Sequence, residues 1–583
     1  MPLLDLLAPP AIEFRPRSVL LGDVEAAAMV ILDYPPRVGP AWAARIAALP
    51  EVTASFHLQP ADKMTLLSAL NRSEQEFVAR LSQGGSALLR SRWEQSLRDA
   101  RELIDKIDKE SQNVFRWTAV LWIGAPDPEA LGQRLRRVEA ACAGARMRAR
   151  TAIFRQEEAL TAAGPWALLP DAVGRAGGRE MPAETAAAAY PFVAAGCNHG
   201  SGSLWGRDEG GGLVLLDRWQ PPEGSGIANA NVNILGTSGG GKSYAAKVQI
   251  LREFALGARV LIIDPEREYR GLCRACGGSW INAAGGEARI NPLQVIGPAD
   301  TDPDGEPDSP AGAGRGALAL HLQRRLKTFL SLYLPSLDDL ERAVLEDVIL
   351  QSYRDHGVTW DTDPATVESW PTLADVHRRL AGLKKHERLA VLLKPAAEGS
   401  DAALWAGQSS LPPTGDFTVF DIRDLVDAAD NVRRSQFFNI VGYAWDLIRE
   451  GASTGERTLL VIDEAWLLAD PQTPQAIGFL RDLSKRIRKH HGSLVVITQN
   501  CVDFLAPELA RFGQPVLSNA STKLLMRQEA KDLEALRDLL GLSEAECELL
   551  SSARRGQALF LAGNQHVQLR VEAAPHEHEI IVG

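Results

Sequence analysis

The segment Asn231 to Ser243 reads N-V-N-I-L-G-T-S-G-G-G-K-S, an apolar β-run passing directly into G-x-x-x-x-G-K-S and then into a helical pattern from Tyr244 to Ala255. No other feature restricts the fold as tightly, because the pattern works only as strand, loop and helix in that order. A loop wrapped around a triphosphate turns its backbone N–H groups inward at close range, and side chains at Gly236, Gly239, Gly240 and Gly241 would obstruct it. Lys242 supplies a point charge to the β- and γ-phosphates, and Ser243 presents a hydroxyl to magnesium at a helix start whose dipole favours anions. Gly236, Thr237, Ser238, Gly239, Gly240, Gly241, Lys242, Ser243 and Tyr244 are therefore the expected ATP contacts.

A second element completes the chemistry. Leu459 to Ile462 is a buried-looking β-run that ends in Asp463 and Glu464. At the carboxyl edge of a parallel sheet, Asp463 can hold the Mg2+ shell with Ser243 while Glu464 orients and deprotonates the attacking water. The run Leu494 to Asn500 ends in the same way, and Gln499 can donate and accept at once, which suits positioning water or sensing the γ-phosphate; capping the strand is the alternative. Arg488 and Arg554 are the arginines expected to reach a neighbouring subunit's nucleotide, the alternative for each being a surface charge.

Apolar runs at Val232–Leu235, Arg259–Ile263, Phe417–Phe420, Thr458–Ile462 and Leu494–Ile497 are buried on both faces by pattern, as in a parallel sheet covered by helices. A hairpin is expected at Gln557–Leu561 and Val567–Val571. Between the halves of the sheet, Ala317 to about Pro395 shows helical spacing and is expected as an inserted helical subdomain, after an exposed loop at Pro298–Arg315. Residues 1–189 read differently. Strands at Ala28–Asp33, Val52–Leu58, Phe115–Gly124 and Arg148–Phe154 alternate with helices at Ala41–Ala48, Ser73–Ser111 and Pro128–Ala143, and the glycine-rich Asp171–Glu180 is expected as linker. The expected fold is α/β: residues 190–583 form a P-loop domain with a parallel sheet core and the 317–395 insertion, preceded by a smaller α+β domain at 1–189.

Composition excludes several classes. With 45% hydrophobic and 23% charged residues over 583 positions, the chain is neither disordered nor fibrous. A net charge of -11 argues against non-specific coating of nucleic acid. Six cysteines cannot form a disulfide framework at this length, and Cys273 with Cys276 reads as two buried residues of a helix. Cys501, His490, His491, His576 and His578 show no metal-ligand spacing. Arg134, Arg136, Arg137, Arg146, Arg148 and Arg150 lie among acids, as on a solvated face. No apolar run is long enough to span a bilayer and Met1–Pro10 lacks a leader pattern, so the chain is expected neither to cross a membrane nor to be exported.

Several segments together resemble the ATPases of conjugative type IV secretion systems, relatives of the FtsK and HerA hexameric motors. These are Asn229–Ser243, D-P-E-R-E-Y at Asp264–Tyr269, I-N-P-L at Ile290–Leu293, L-L-V-I-D-E-A-W at Leu459–Trp466, R-K-H-H-G-S-L-V-V-I-T-Q at Arg488–Gln499 and R-G-Q-A-L-F at Arg555–Phe560. The resemblance implies a RecA-like ATPase domain with an inserted helical bundle, an amino-terminal docking domain and hexameric or dimeric assembly, with a homo-hexamer as the expected form. It also implies inner-membrane channel components as partners, DNA or a relaxase–DNA conjugate among the cargoes, and a place on the inner face of the bacterial cell membrane. It supports Lys242, Ser243, Asp463, Glu464, Gln499 and Arg488, and adds Glu266 and Glu268 as active-site carboxylates. Two alternatives remain open at this point: a DNA-pumping translocase and a nucleotide-binding scaffold.

Overall fold

The computed structural model describes residues 11–582 apart from 36, 50, 85, 109–112, 194–195, 286–287, 297–315, 412–413, 426 and 452–454; the loop expected at Pro298–Arg315 lies outside the described residues. The chain divides into two compact units, Met1–Ala194 and Ala195–Gly583.

The first unit is built on β1 (Ile12–Phe14), β2 (Val19–Leu21), β3 (Val24–Asp33), β4 (Val52–Pro60), β5 (Val114–Ala125), β6 (Arg148–Thr151) and β7 (Arg179–Pro182). All pairs are antiparallel, in the order β1-β2-β3-β5-β4, with β6 on β3 and β7 on β5. Strand β5 therefore separates β3 from β4, and β3 separates β5 from β6, so the two β-α-β segments interlock as split units. The single helix expected at Ser73–Ser111 is instead two, Lys63–Ser82 and Ala87–Asp108, because Gly84 at φ +79 breaks the run. Asp171–Glu180 is not a linker. It forms the helix Asp171–Gly177 and the start of β7, and its glycines serve close packing: a Cβ at Gly177 would lie 2.5 Å from Val30 Cγ1. The arginine-rich stretch is engaged with acids, Arg134 with Glu51, Arg148 with Asp33 and Arg150 with Glu139.

The second unit carries β8 (Ser203–Asp208), β9 (Leu213–Leu216), β10 (Val232–Leu235), β11 (Arg259–Asp264), β12 (Ser279–Asn282), β13 (Phe417–Asp421), β14 (Thr458–Ile462), β15 (Gly492–Thr498), β16 (Thr522–Leu525), β17 (Gln557–Ala562) and β18 (Gln565–Arg570). They form one sheet in the order β12-β13-β11-β14-β15-β10-β16-β17-β18-β8-β9. The strands from β12 to β16 are parallel, and the β17–β18 hairpin with β8 and β9 extends the sheet antiparallel.

Burial on both faces explains the apolar runs. Leu261, Ile263, Leu460 and Ile462 face one core, which includes Leu326, Phe329 and Leu345 from the helices between β12 and β13. Val260, Ile262, Leu459 and Val461 face the other, against Ala245 and Ile250 of the helix Lys242–Ala255. The helices between β12 and β13 include Asp339–Asp355, Leu373–Ala381 and Glu387–Glu398; the first two begin with reciprocal capping boxes, Asp338 with Glu341 and Thr372 with Asp375. No described helix is long and apolar enough to cross a membrane.

Candidate active site

Strand order places the site. The carboxyl end of β10 runs into the phosphate loop, β15 lies beside it, and β14 lies beyond β15. Three loops that are far apart in sequence thus leave the same sheet edge. A cleft of about 480 Å³ there is lined by Ser238, Gly239, Gly241, Lys242, Ser243 and Tyr244 from the loop and helix start, Glu464 from the end of β14, and Gln499 from the end of β15. Lys247, Glu268, Arg555, Ile581 and Val582 complete the lining.

The loop itself needs its glycines. Gly239 and Gly241 sit at φ +75 and +103, where an L side chain is strained, and Gly241 caps the helix Lys242–Ala255. Lys242 is 8% exposed and donates to the Thr237 carbonyl at 3.1 Å across its own loop. Burial pushes its ammonium below the ordinary range, while the nearby charges of Glu464, Asp463 and Glu268 act in the opposite direction.

The carboxylates are more numerous than the lysine can balance. Asp463 is 4% exposed, accepts from the Glu464 backbone N–H at 2.9 Å, and is pushed up to about 7 by burial and then by Glu464. Asp264 and Glu268 raise it further. Glu464 is also raised, chiefly by burial, and its backbone lies in the left-handed region at φ +48 and ψ +47. Such a conformation costs a non-glycine residue about 1–3 kcal/mol, and it persists here by turning the chain sharply out of β14. Tyr269 is fully buried; burial and the neighbouring charge of Asp463 hold its phenol protonated well beyond its usual range.

This surplus of negative charge tests whether Mg2+ fits. Among the described residues no group of three or more His, Cys, Asp or Glu forms a metal cage. Magnesium beside phosphates takes one or two protein ligands and keeps water, so Ser243 with an acid is a matching donor set. A buried Asp463 whose ionised form is disfavoured by three other acids is the side chain a divalent cation would relieve.

Of the two carboxylates implied by resemblance, only Glu268 lines the cleft. Asp264 builds the turn that puts it there, accepting from the backbone N–H groups of Glu266, Glu268 and Tyr269 at 3.2, 3.1 and 3.0 Å. Glu266 instead pairs with Arg423 at 2.8 Å.

The arginines divide. Arg555, not Arg554, lines the cleft, with its Cγ 3.6 Å from the position of a Cβ on Gly241. Arg554 is exposed and donates its backbone N–H to Gln557 Oε1 at 2.9 Å. Both arginines precede β17, which starts at Gln557, and Arg555 with Gly556 forms the turn that leads into it. Gly556 at φ +83 was the available signal, marking the turn that swings Arg555 inward. Arg488 lies in the turn before β15, next to Ala228 at the amino edge of the sheet, which is a strand length or roughly 20 Å from the cleft of its own chain. Missed altogether was the helix Pro575–Val582: His578 bonds Tyr244 at 2.9 Å, and Ile581 and Val582 line the cleft. Cys273 and Cys276 are pushed up to about 11 by burial, which suits an inert thiol pair.

The family model of the TraG P-loop domain matches residues 206–300 and 448–565, the two stretches that flank the helical insertion. VirB4 of Thermoanaerobacter pseudethanolicus is 50% identical, the match covering 66% of this chain and 99% of that one with a TM-score of 0.61. Protein TraC of Escherichia coli (strain K12) is 24% identical over 317 residues, 52% of this chain and 33% of TraC, so this chain spans about a third of that relative. A Bacillus anthracis protein, pXO2-09, itself uncharacterized, is 20% identical over 607 residues, 94% of this chain and 91% of that protein. With half of all aligned positions shared across nearly the whole of the solved VirB4 chain, this RecA-like P-loop protein belongs to the family of conjugative type IV secretion system ATPases.

Proposed function

We propose that the chain hydrolyses ATP with Mg2+ and uses the cycle to energise assembly of, or transfer through, a bacterial conjugation or secretion channel. The observation that carries this reading is the convergence of Lys242, Ser243, Glu464 and Gln499 on one cleft at the carboxyl edge of the sheet. Backbone amides of Gly239 to Ser243 and the Lys242 ammonium bind the phosphates, and Ser243 with Asp463 would hold Mg2+. Bound Mg2+ would supply charge neutralisation at the β- and γ-oxygens. Glu464 takes the proton of the attacking water, Gln499 orients that water, and Arg555 adds a positive charge from within the same subunit. Arg488 serves the nucleotide of an adjoining subunit in a homo-oligomer, with a hexamer as the expected form. The partners are inner-membrane channel components, and the place of work is the inner face of the bacterial cell membrane.

The test is turnover and transfer measured together. Lys242→Ala and Glu464→Gln are expected to lower ATP turnover by about 100-fold or more, and to abolish transfer. Near-normal turnover in both variants would remove the mechanism, and normal transfer by a Glu464→Gln protein lacking turnover would leave a nucleotide-ordered scaffold. Strong stimulation of hydrolysis by double-stranded DNA alone would favour a DNA-pumping translocase.

A further inference from the structure

Among the non-glycine residues lining the cleft, Glu464 is the one whose backbone lies at positive φ. That turn starts a short 3-10 segment, Ala465–Leu468, in which Ala465, Leu467 and Leu468 are buried and fix the orientation of the residue between them. The residue between them is Trp466. Its indole Nε1 donates to Glu464 Oε2 at 2.6 Å, a bond that is charge-assisted when the carboxylate is ionised. An indole N–H donates only; it neither accepts a proton nor gives one up at neutral pH. It can therefore hold a carboxylate without competing for the proton that the carboxylate must take.

A free glutamate carboxylate samples many orientations, and a general base works only while a lone pair faces the proton it removes. With one lone pair of Oε2 taken up by Trp466, Oε1 is the oxygen that keeps both lone pairs for water. We propose that Trp466 is a positioning residue for hydrolysis: its indole N–H fixes Glu464 so that the second carboxylate oxygen faces the attacking water. The inference rests on the reading of Glu464 as the base. In the step it serves, the water oxygen bonds to the γ-phosphorus, the bond from that phosphorus to the bridging oxygen breaks, and ADP leaves with the electron pair. The water proton passes to Glu464, which later releases it to solvent.

A hydrogen bond that merely staples the turn would affect folding and leave the chemical step alone, so the experiment separates the two. In the full chain, Trp466→Phe keeps an aromatic ring and removes the N–H. It is expected to lower kcat by about 10-fold or more, the scale of a lost hydrogen bond to a charged group, while KM for ATP stays within about 2-fold. Trp466→His, which retains a ring N–H, is expected to keep a kcat clearly above that of Trp466→Phe. In a Glu464→Gln background the same Trp466→Phe change is expected to have no further effect on the single-turnover rate, because it acts through the carboxylate that is gone.

Equal losses from Trp466→Phe in both backgrounds, or kcat and KM changing together in step with a lowered melting temperature, would overturn the proposal. So would a kcat for Trp466→His no better than for Trp466→Phe. Full turnover by Trp466→Phe with Glu464→Gln inactive sinks the role of Trp466 alone; full turnover by Glu464→Gln sinks the reading of the base as well.

Discussion

The guanidinium of Arg218 lies 2.9 Å from the carboxylate of Glu253, with the two side chains 1% and 2% exposed. Arg218 also donates to the Ala230 carbonyl at 2.8 Å and to Ser493 Oγ at 3.0 Å, while Ser203 Oγ and Trp219 Nε1 donate to Glu253 at 2.9 and 2.8 Å. Burial alone would raise the Glu253 carboxyl, yet Arg218 and these donors hold it below its usual value. The pair thereby ties the segment after β9 to the helix that begins at the phosphate loop.

Breaking the pair from one side strands a buried charge. Arg218→Met is expected to destabilise the protein by about 3–5 kcal/mol, and adding Glu253→Leu to recover much of that loss. Denaturant unfolding of the parent, the single variant and the double variant checks this, and a double variant no more stable than the single would contradict it.

Arg555 and Arg554 should separate cleanly. Arg555→Ala removes a cation that lines the phosphate cleft and is expected to raise KM for ATP by about 10-fold or more. Arg554→Ala removes an exposed charge and should leave KM within about 2-fold. Steady-state kinetics on both variants decides between them, and the reverse pattern would return the role to Arg554.

Arg488 stands too far from its own cleft to act there, so its loss should be complemented in mixed assemblies. Arg488→Ala is expected to bind nucleotide normally and turn over poorly. Mixing it with Lys242→Ala should restore part of the activity, since an intact phosphate loop on one subunit then meets an intact Arg488 on the next. A mixture no more active than the sum of its components would place Arg488 outside the reaction.

His321 supplies a pH prediction. Its ring Nε2 lies 2.9 Å from the Pro292 carbonyl, and burial, reinforced by the nearby Arg325 charge, pushes its pKa from 6.5 down to about 3. An unfolded chain takes up this proton near pH 6.5 and the folded chain only near 3, so the contribution is fully present above 6.5 and is lost as pH falls between those values. Replacement by Gln should reduce the slope of stability against pH by about 1.4 kcal/mol per pH unit within that window and leave it unchanged above it. Unfolding titrations at pH 4.5, 5.5, 6.5 and 7.5 read the difference.

The chemistry-bearing segments of the site could be read from the chain because each is local. The phosphate loop is a strand, four glycines and a helix start within Asn231–Ser243, and Asp463 with Glu464 ends an apolar run whose length already marks a buried strand. The same logic failed at Asp171–Glu180. There the glycines read as flexible linker, whereas Gly177 ends a helix and is small because Val30 of β3 packs against its backbone.

The amino-acid sequence by itself determined the P-loop, the buried parallel strands and the identity of the acids at their ends, since spacing within one strand, loop or helix fixes those. Tertiary structure alone decided that β15 lies between β10 and β14, that Arg555 faces the phosphate loop while Arg554 does not, and that Glu268 enters the cleft while Glu266 turns to Arg423. The physical reason is that these outcomes depend on strand order and on the direction of single side chains across packed elements, and neither leaves a periodic trace in the chain.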